Sequence, residues 1–306
     1  MSKKAGLDVS ADFEGETLHV RHAGQGVVRL ILNRPDVRNA FNADMMSELN
    51  DVLAALAATT DESKMRVLVI EGTGEHFCAG ADLNYMKQQA QSGEPQSLRD
   101  ARVLATLFYR LASFPTTVIA AVRGSAIGGG FGLVCCADVV VCEAQSFFAT
   151  SEVRLGIVPG VISPYIVRKL GAGRAAPFML SGERLSAVQA MQLGLVTVIV
   201  DTDENKERND PDSMNGKIRS QKIFQAKLTA VVNEHLKAGP NAARRTKELL
   251  RKIHPLPDPG LFEFTATSIA MARCSSEGQH GLERFFAKQS PAWTAELPPD
   301  AFGVPQ

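Results

Sequence analysis

Residues 117–136 read TVIAAVRGSAIGGGFGLVCC, and no other stretch limits the fold as tightly. The first six positions, TVIAAV, carry no charge and show no polar alternation, so a strand formed there is covered on both faces. An apolar helix follows, and Gly128, Gly129 and Gly130 stand at the switch between the two. A strand buried on both sides that feeds a helix belongs to a parallel α/β architecture. The pattern recurs. Residues 66–71, RVLVIE, form a second such run, closed by Gly72-Thr73-Gly74, and residues 138–142 form a third. Upstream, strand-like segments at 17–21 and 26–32 end at Asn33-Arg34-Pro35. Asn42 is placed to cap a helix with Asp44 in its first turn, and Met45, Leu49, Val52, Leu53 and Leu56 mark one face of it. Residues 97–113, 163–180 and 186–193 are predicted helical, and 195–200 is predicted to be a late strand.

The composition changes after this strand. Residues 201–220 are rich in Asp, Glu, Asn and Lys and nearly free of apolar side chains, which predicts a polar linker or surface insertion. Beyond it only helical periodicity remains, at 221–238, 240–252, 258–275 and 277–288. The expected organisation is an α/β core over 13–200, the polar segment 201–220, and a helical C-terminal module over 221–293. Helices of this length need a partner surface for their apolar faces. No repeat of solenoid length is present.

Several function classes are disfavoured. Lys plus Arg and Asp plus Glu each number 33, so no excess of positive charge supports a broad nucleic-acid surface. The five cysteines form no CxxC pair, and the adjacent Cys135 and Cys136 suit buried thiols in a reducing compartment. No metal is expected, since the histidines lack HExxH-like spacing. GxSxG, GxGxxG and P-loop patterns are absent. His76 is expected to be a loop-surface histidine. No apolar run approaches a membrane span, and the first twenty residues hold no signal-like stretch but several acids. The expected location is the cytoplasm, or the mitochondrial matrix in a eukaryote.

The chemistry should sit at two strand-to-helix switches. Backbone N–H groups at a helix start are unpaired and lie at the positive end of the dipole. Glycine lets another molecule approach that backbone, so the GGG run suits a developing negative charge, although it also suits simple close packing. Residues 72–87, GTGEHFCAGADLNYMK, offer a second exposed N–H beside Asp82, which can also act as an ordinary helix cap.

Together these segments resemble the two oxyanion-hole motifs of the crotonase (enoyl-CoA hydratase/isomerase) superfamily. The resemblance implies N–H donors at Ala81, which precedes Asp82, and at Gly129, the middle glycine of the run. It continues in Asn33-Arg34-Pro35-Asp36-Val37-Arg38-Asn39-Ala40, similar to the family's early CoA-contacting stretch. Ser151-Glu152-Val153-Arg154-Leu155-Gly156-Ile157-Val158-Pro159 is similar to the stretch bearing a catalytic carboxylate. Ser181-Gly182-Glu183-Arg184-Leu185 resembles the end of the family core, and Phe285-Phe286-Ala287-Lys288 its terminal helix. The implied fold is a spiral of ββα units with a helical C-terminal oligomerisation module, assembling as a trimer or dimer of trimers. The implied ligand is an acyl-CoA thioester, contacted by Arg38, Ala40, Ala79, Asp82, Leu83 and Lys288 on the CoA side. Gly128, Gly132, Pro159 and Gly160 would line the acyl side. No cofactor is implied, since coenzyme A is part of the substrate, and neither nucleic acid nor membrane is an expected partner.

One departure matters. Two-glutamate hydratases of this family carry a Glu two residues after the GGG run, and here that position is Gly132. Glu152 alone matches a catalytic acid. A lone carboxylate in an apolar cleft should have a raised pKa and serve as both acid and base. The closest resemblance is to methylglutaconyl-CoA hydratase-like members of leucine or isoprenoid breakdown. They share SEVRLG, the ISPY stretch of Ile162-Ser163-Pro164-Tyr165 with Arg168, and the ADLNYM run of 81–86. Their second substrate carboxylate needs a cation that the sequence does not identify. The alternatives are a single-carboxylate enoyl-CoA isomerase and a non-catalytic acyl-CoA-binding scaffold.

Overall fold

The computed structural model describes residues 9–59, 65–202 and 214–295. Strands β1 (Phe13–Glu14), β2 (Leu18–Gly24) and β3 (Val27–Leu32) open the chain, followed by α1 (Ala43–Ala57) and β4 (Val67–Gly72). Helices α2 (Leu83–Gln91) and α3 (Glu94–Ala112) lead to β5 (Thr117–Val122), β6 (Ser125–Ile127), α4 (Gly129–Cys136), β7 (Val139–Glu143) and β8 (Phe147–Ala149). Then come α5 (Ser163–Leu170), α6 (Ala172–Ser181), β9 (Arg184–Ser186), α7 (Ala187–Gln192) and β10 (Val198–Val200). The C-terminal helices are α8 (Met214–Leu236), α9 (Pro240–Ile253), α10 (Pro259–Cys274) and α11 (Ser276–Phe286).

The strands form two sheets. The larger runs β1-β2-β3-β4-β5-β7-β10, and the smaller runs β6-β8-β9. From β3 through β10 the pairing in the larger sheet is parallel, as the unbroken apolar runs require. Alternate residues of β5 serve different cores. Val118, Ala120 and Val122 join the main core, while Ile119 and Ala121 join a second cluster with Val67, Val69 and Val141. That second face is closed by Phe224, Leu228 and Val232 of α8. The partner surface that the α8 apolar face needed is therefore the sheet of its own chain.

Cations bonded to backbone carbonyls tie the C-terminal helices to the core, in both directions. Arg66 donates to Leu236 O (2.6 Å) and Ala238 O (2.9 Å), and Arg244 to Met65 O (2.9 Å). Lys247 is buried, donates to Thr116 O (2.8 Å) and pairs with Asp138 (2.6 Å), and Arg251 donates to Ser113 O. These acceptors sit at the end of α8, just before β4, just before β5 and at the end of α3, where helix and strand ends leave carbonyls unpaired.

Most predicted elements fall within a few residues of those observed, and two differ. The helix expected over 163–180 is two helices, α5 and α6, separated at Gly171. Its φ of +80° is left-handed backbone that glycine adopts without strain. The polar segment expected over 201–220 is shorter than that range, because residues 214–220 belong to α8. Its first residues are polar, and their helicity follows from the anchoring of the later turns on the sheet. Residues 203–213 lie outside the described residues.

Truncating Phe224, which is only 2 % exposed, opens a void between α8 and the sheet. Phe224→Ala is expected to cost about 3–5 kcal/mol. The check is a lowered urea midpoint with an unchanged denaturant slope.

Candidate active site

Four loops meet at the C-terminal ends of the parallel strands. The first, after β3, is organised by Asn39, which is buried and left-handed (φ +56°). Its Oδ1 accepts from Arg34 N (2.8 Å), and its Nδ2 donates to Thr73 O (2.9 Å) and His76 O (2.8 Å). The Arg34 guanidinium then reaches Ala40 O (2.5 Å) and Asp82 Oδ2 (3.0 Å). The second loop follows β4. Phe41 N donates to Gly80 O (2.7 Å) and Asp82 N to Phe41 O (2.8 Å), while Cys78 bridges to Ala126 of β6. Asp82 caps α2 through Asn84 N (2.8 Å) and Tyr85 N (3.3 Å). The third loop is the glycine run, held by Gly128 N donating to Ala149 O (2.9 Å). The fourth is a single 3-10 turn, Ser151–Leu155, which carries Glu152 and ends at left-handed Gly156.

Gly128 is where these loops converge. It has φ +51°, and a Cβ built on it would lie 3.0 Å from Glu152 Oε1 and 3.9 Å from Gly80 Cα. A methyl group could not sit there without moving the carboxylate. Gly80, with φ +90°, is as close on its side: its Cβ would lie 3.0 Å from Ile127 O. The switch after β4 and the switch after β6 therefore touch through bare backbone, with Glu152 over the second. Among the described residues, no protein acceptor takes the N–H of Ala81 or of Gly129. Gly129 opens α4, so its N–H is one of the helix's unpaired donors. Ala81 is exposed to solvent.

Glu152 is the carboxylate enclosed where these loops converge. Its Oε2 is enclosed and has no hydrogen-bond partner among the described residues. Desolvation raises its pKa from 4.5 to about 7, against smaller lowering effects of its own backbone N–H and of Arg273. Gly132, where a second acid would stand, is buried in close packing. A Cβ there would lie 2.4 Å from Ile162 Cγ2 and 2.9 Å from the Phe108 ring.

The remaining residues singled out from sequence are placed as follows. Ala40 is buried with its carbonyl held by Arg34, and Ala79 N donates to Arg38 O (2.9 Å). Arg38 is exposed and left-handed (φ +55°), and exposed Leu83 opens α2 beside Ala81. Asp82, expected on the CoA side, has both carboxylate oxygens engaged by Arg34 and the α2 cap. Pro159 and Gly160 are buried just past the Glu152 turn, and Gly160 is pressed against α10, where a Cβ would meet Thr265 O at 2.5 Å. Lys288 lies exposed past the end of α11, and no described contact brings it to the other site residues. His76 is half-buried rather than on the surface. Its Nδ1 accepts from Ser125 N (3.2 Å) and lies 3.0 Å from Ser125 Oγ, fastening β6; burial lowers its pKa, as does Arg38.

Residues 22–210 match the family model for enoyl-CoA hydratase/isomerase. The chain belongs to the enoyl-CoA hydratase/isomerase family. It is an enzyme of that family with a crotonase fold. The 2,3-dehydroadipyl-CoA hydratase of Escherichia coli is 33% identical over 273 residues, covering 87% of this chain and 94% of that one. The crystal structure of an enoyl-CoA hydratase from Shewanella pealeana superposes with a TM-score of 0.67 at 34% identity, over 90% of this chain and 96% of that one. Pseudomonas aeruginosa AtuE gives a TM-score of 0.67 at 33% identity, over 91% and 99%.

Two residues that bear on this site do not stand out in the sequence. Arg34 reads there only as part of a CoA-contacting stretch, yet it locks the first loop to the second. Arg273 reads as one more charged residue, although its charge acts on Glu152. The available signal was its spacing, seven residues after Ala266 and four after Ile269 on a helix.

The raised pKa of Glu152 has a consequence for stability. Between pH 4.5 and about 7 the folded chain holds a proton that the unfolded chain has released. The stability this contributes is fully present below the unfolded value and is lost as pH rises through the folded one. Glu152→Gln cannot ionise. It should match the parent chain at pH 4 and exceed it at pH 8 by roughly 2–3 kcal/mol, measured by urea unfolding at both pH values.

Proposed function

We propose that this enzyme adds water across the double bond of a 2-enoyl-CoA whose acyl group carries a second carboxylate, of the methylglutaconyl type. The observation that carries the reading is Glu152: one enclosed carboxylate whose Oε2 has no partner among the described residues, its pKa raised to about 7, over a backbone turn with a free N–H. The thioester oxygen accepts hydrogen bonds from Ala81 N and Gly129 N. Glu152, ionised, takes a proton from water as the water oxygen bonds to Cβ. The double-bond electrons move onto the thioester oxygen, and the two N–H groups hold that charge. Glu152 then returns the proton to Cα, so one carboxylate is base and acid in turn. Coenzyme A arrives and leaves with the substrate and no further cofactor takes part. Arg38, and Lys288 from this or a neighbouring copy, would meet its phosphates.

The choice of acyl group rests on the SEVRLG and ADLNYM motifs and on the Escherichia coli relative, whose named substrate, 2,3-dehydroadipyl-CoA, also bears a distal carboxylate. Arg168, part of the same motif set, donates to His254 O (3.2 Å), which suits an anchor of the C-terminal helices better than a substrate contact. A trimer or dimer of trimers would cover Leu249, Leu250, Ile253, Phe264 and Met271, all exposed on α9 and α10. Isomerisation is the second reading, favoured by one observation: Gly132 has no room for a second acid, and a proton shuttle between carbons needs only one.

The test is kcat/KM for 3-methylglutaconyl-CoA and crotonyl-CoA in the parent chain, Glu152→Gln and Ala81→Pro. Glu152→Gln should lower kcat at least ~100-fold with little change in KM. A folded Ala81→Pro, lacking one donor, should lose about two to three orders of magnitude. Since the base form starts the reaction, kcat/KM should rise as pH increases through about 7, and that limb should vanish in Glu152→Gln. Hydration surviving in Glu152→Gln would refute the mechanism, and faster turnover of crotonyl-CoA would refute the substrate. Isomerisation of a 3-enoyl-CoA without hydration would establish the second reading.

A further inference from the structure

Helix α10 presents Ala266, Ile269 and Ala270 to the core, and Arg273 is the next position on that stripe. A guanidinium on a core-facing stripe needs a partner, because burying it unpaired is costly. Arg273 is half-buried, and among the described residues its side chain makes no hydrogen bond or ion pair. The two carboxylates that act on it through space are Asp100 and Glu152. Helix α10 runs between two parts of the site, with its end at the loop after α2 and its middle against Gly160. Cys274 Sγ lies 3.9 Å from Ser92 O beyond α2, and Gly160, just past the Glu152 turn, packs on Thr265 and Ile269.

The surroundings are short of hydrogen bonds in one place. Tyr85 and Gln89 lie one turn apart on the buried face of α2. Asp100, across on α3, is held by Gln89 Nε2 (2.5 Å) and Gln96 Nε2 (3.0 Å), so it is already shared between two amides. Ser97, one turn before it, is fully buried, and its Oγ has no partner. Gln89 Oε1 and Glu152 Oε2 are likewise buried and unpartnered. Two orphaned polar atoms on α2 and α3, the unpartnered Oε2 of Glu152 and an unpaired guanidinium on the α10 packed against α3 and α2 each call for an explanation.

We propose that Arg273 is the specificity-determining cation of this site, which receives a carboxylate at the far end of the acyl chain of the CoA thioester. The inference rests on the acyl-CoA reading above and adds the group that reads the acyl tail. With its thioester oxygen at Ala81 and Gly129, a substrate presents Cα and Cβ to Glu152, and an acyl chain continuing past Glu152 runs toward Arg273. The guanidinium can bind the far carboxylate through two parallel N–H donors. A tail ending in methyl would leave the cation unpaired, so the site would discriminate against plain enoyl chains as well as favour acidic ones.

Inhibition by two saturated thioesters, glutaryl-CoA and butyryl-CoA, tests this without depending on turnover. The parent chain should bind glutaryl-CoA more tightly, by about 10- to 100-fold, the range for a charge-assisted pair. Arg273→Met, similar in length and uncharged, should abolish that preference while butyryl-CoA inhibition changes less than about threefold. Arg273→Lys should restore part of it, and stands in should the methionine variant not fold. A preference that survives both substitutions would overturn the role of Arg273 and leave the carboxylate-bearing substrate standing. No preference in the parent chain would overturn the substrate and the role together. An intact, Arg273-dependent preference in an enzyme that fails to hydrate would support the cation and count against hydration alone.

Discussion

The site depends on the contact between two stretches of backbone, at Gly80 and Gly128, that approach each other without side chains. Each turn follows a parallel strand system and each ends in a helix start, so each can hold an N–H out of the hydrogen-bonding network. Only glycine permits this, because both residues are left-handed and each would place a Cβ about 3.0 Å from an oxygen of the neighbouring segment. The buried Asn39 and the Arg34–Asp82 pair hold the flanking loops in register with this contact. Loops thus become a rigid donor set, and preorganised donors are what stabilise charge developing during a reaction.

Glu152 is the second constraint, and its value lies in being poorly solvated. A carboxylate in water would be fully ionised at neutral pH and a weak base. Burial raises its pKa to about 7, where it can both take and return a proton. Arg273 moderates the shift, since a nearby positive charge favours the ionised form. The C-terminal helices are therefore part of the electrostatics of the site as well as part of the fold. At Gly132, Ile162 and Phe108 fill the space a second acid would need, so the proposed reaction has one carboxylate for its proton transfers.

The same helices complete the core. A parallel sheet has two apolar faces, and α8 covers the one that the α/β segments leave open. Arg66, Arg244, Lys247 and Arg251 fasten the join by pairing with carbonyls at element ends. These bonds satisfy groups that no regular secondary structure reaches, and they fix where α10, and with it Arg273, meets the site.

Local features were legible from the sequence alone, because they depend on spacing and on the conformational limits of single residues. The two-sided strand 117–122, the Asn42 and Asp82 caps, the glycine run and the helical periodicity after residue 220 are of this kind. The motifs around Ala81, Gly129 and Glu152 likewise pointed to a crotonase fold and an enzyme of the hydratase family. What remained hidden depends on pairs of residues far apart in the chain. Arg34 meets Asp82 across 48 positions, and Lys247 meets Asp138 across 109. Arg273 reads locally as one more charged residue near a helix end. Only the packing of α10 on α3 and on Gly160, past the Glu152 turn, puts it among buried polar groups. Sequence determined which segments could become strands, helices and bare backbone turns, since those are properties of neighbouring residues. Tertiary structure decided which turns touch, how far Glu152 is desolvated and which cation stands beside it, since burial and charge act through space.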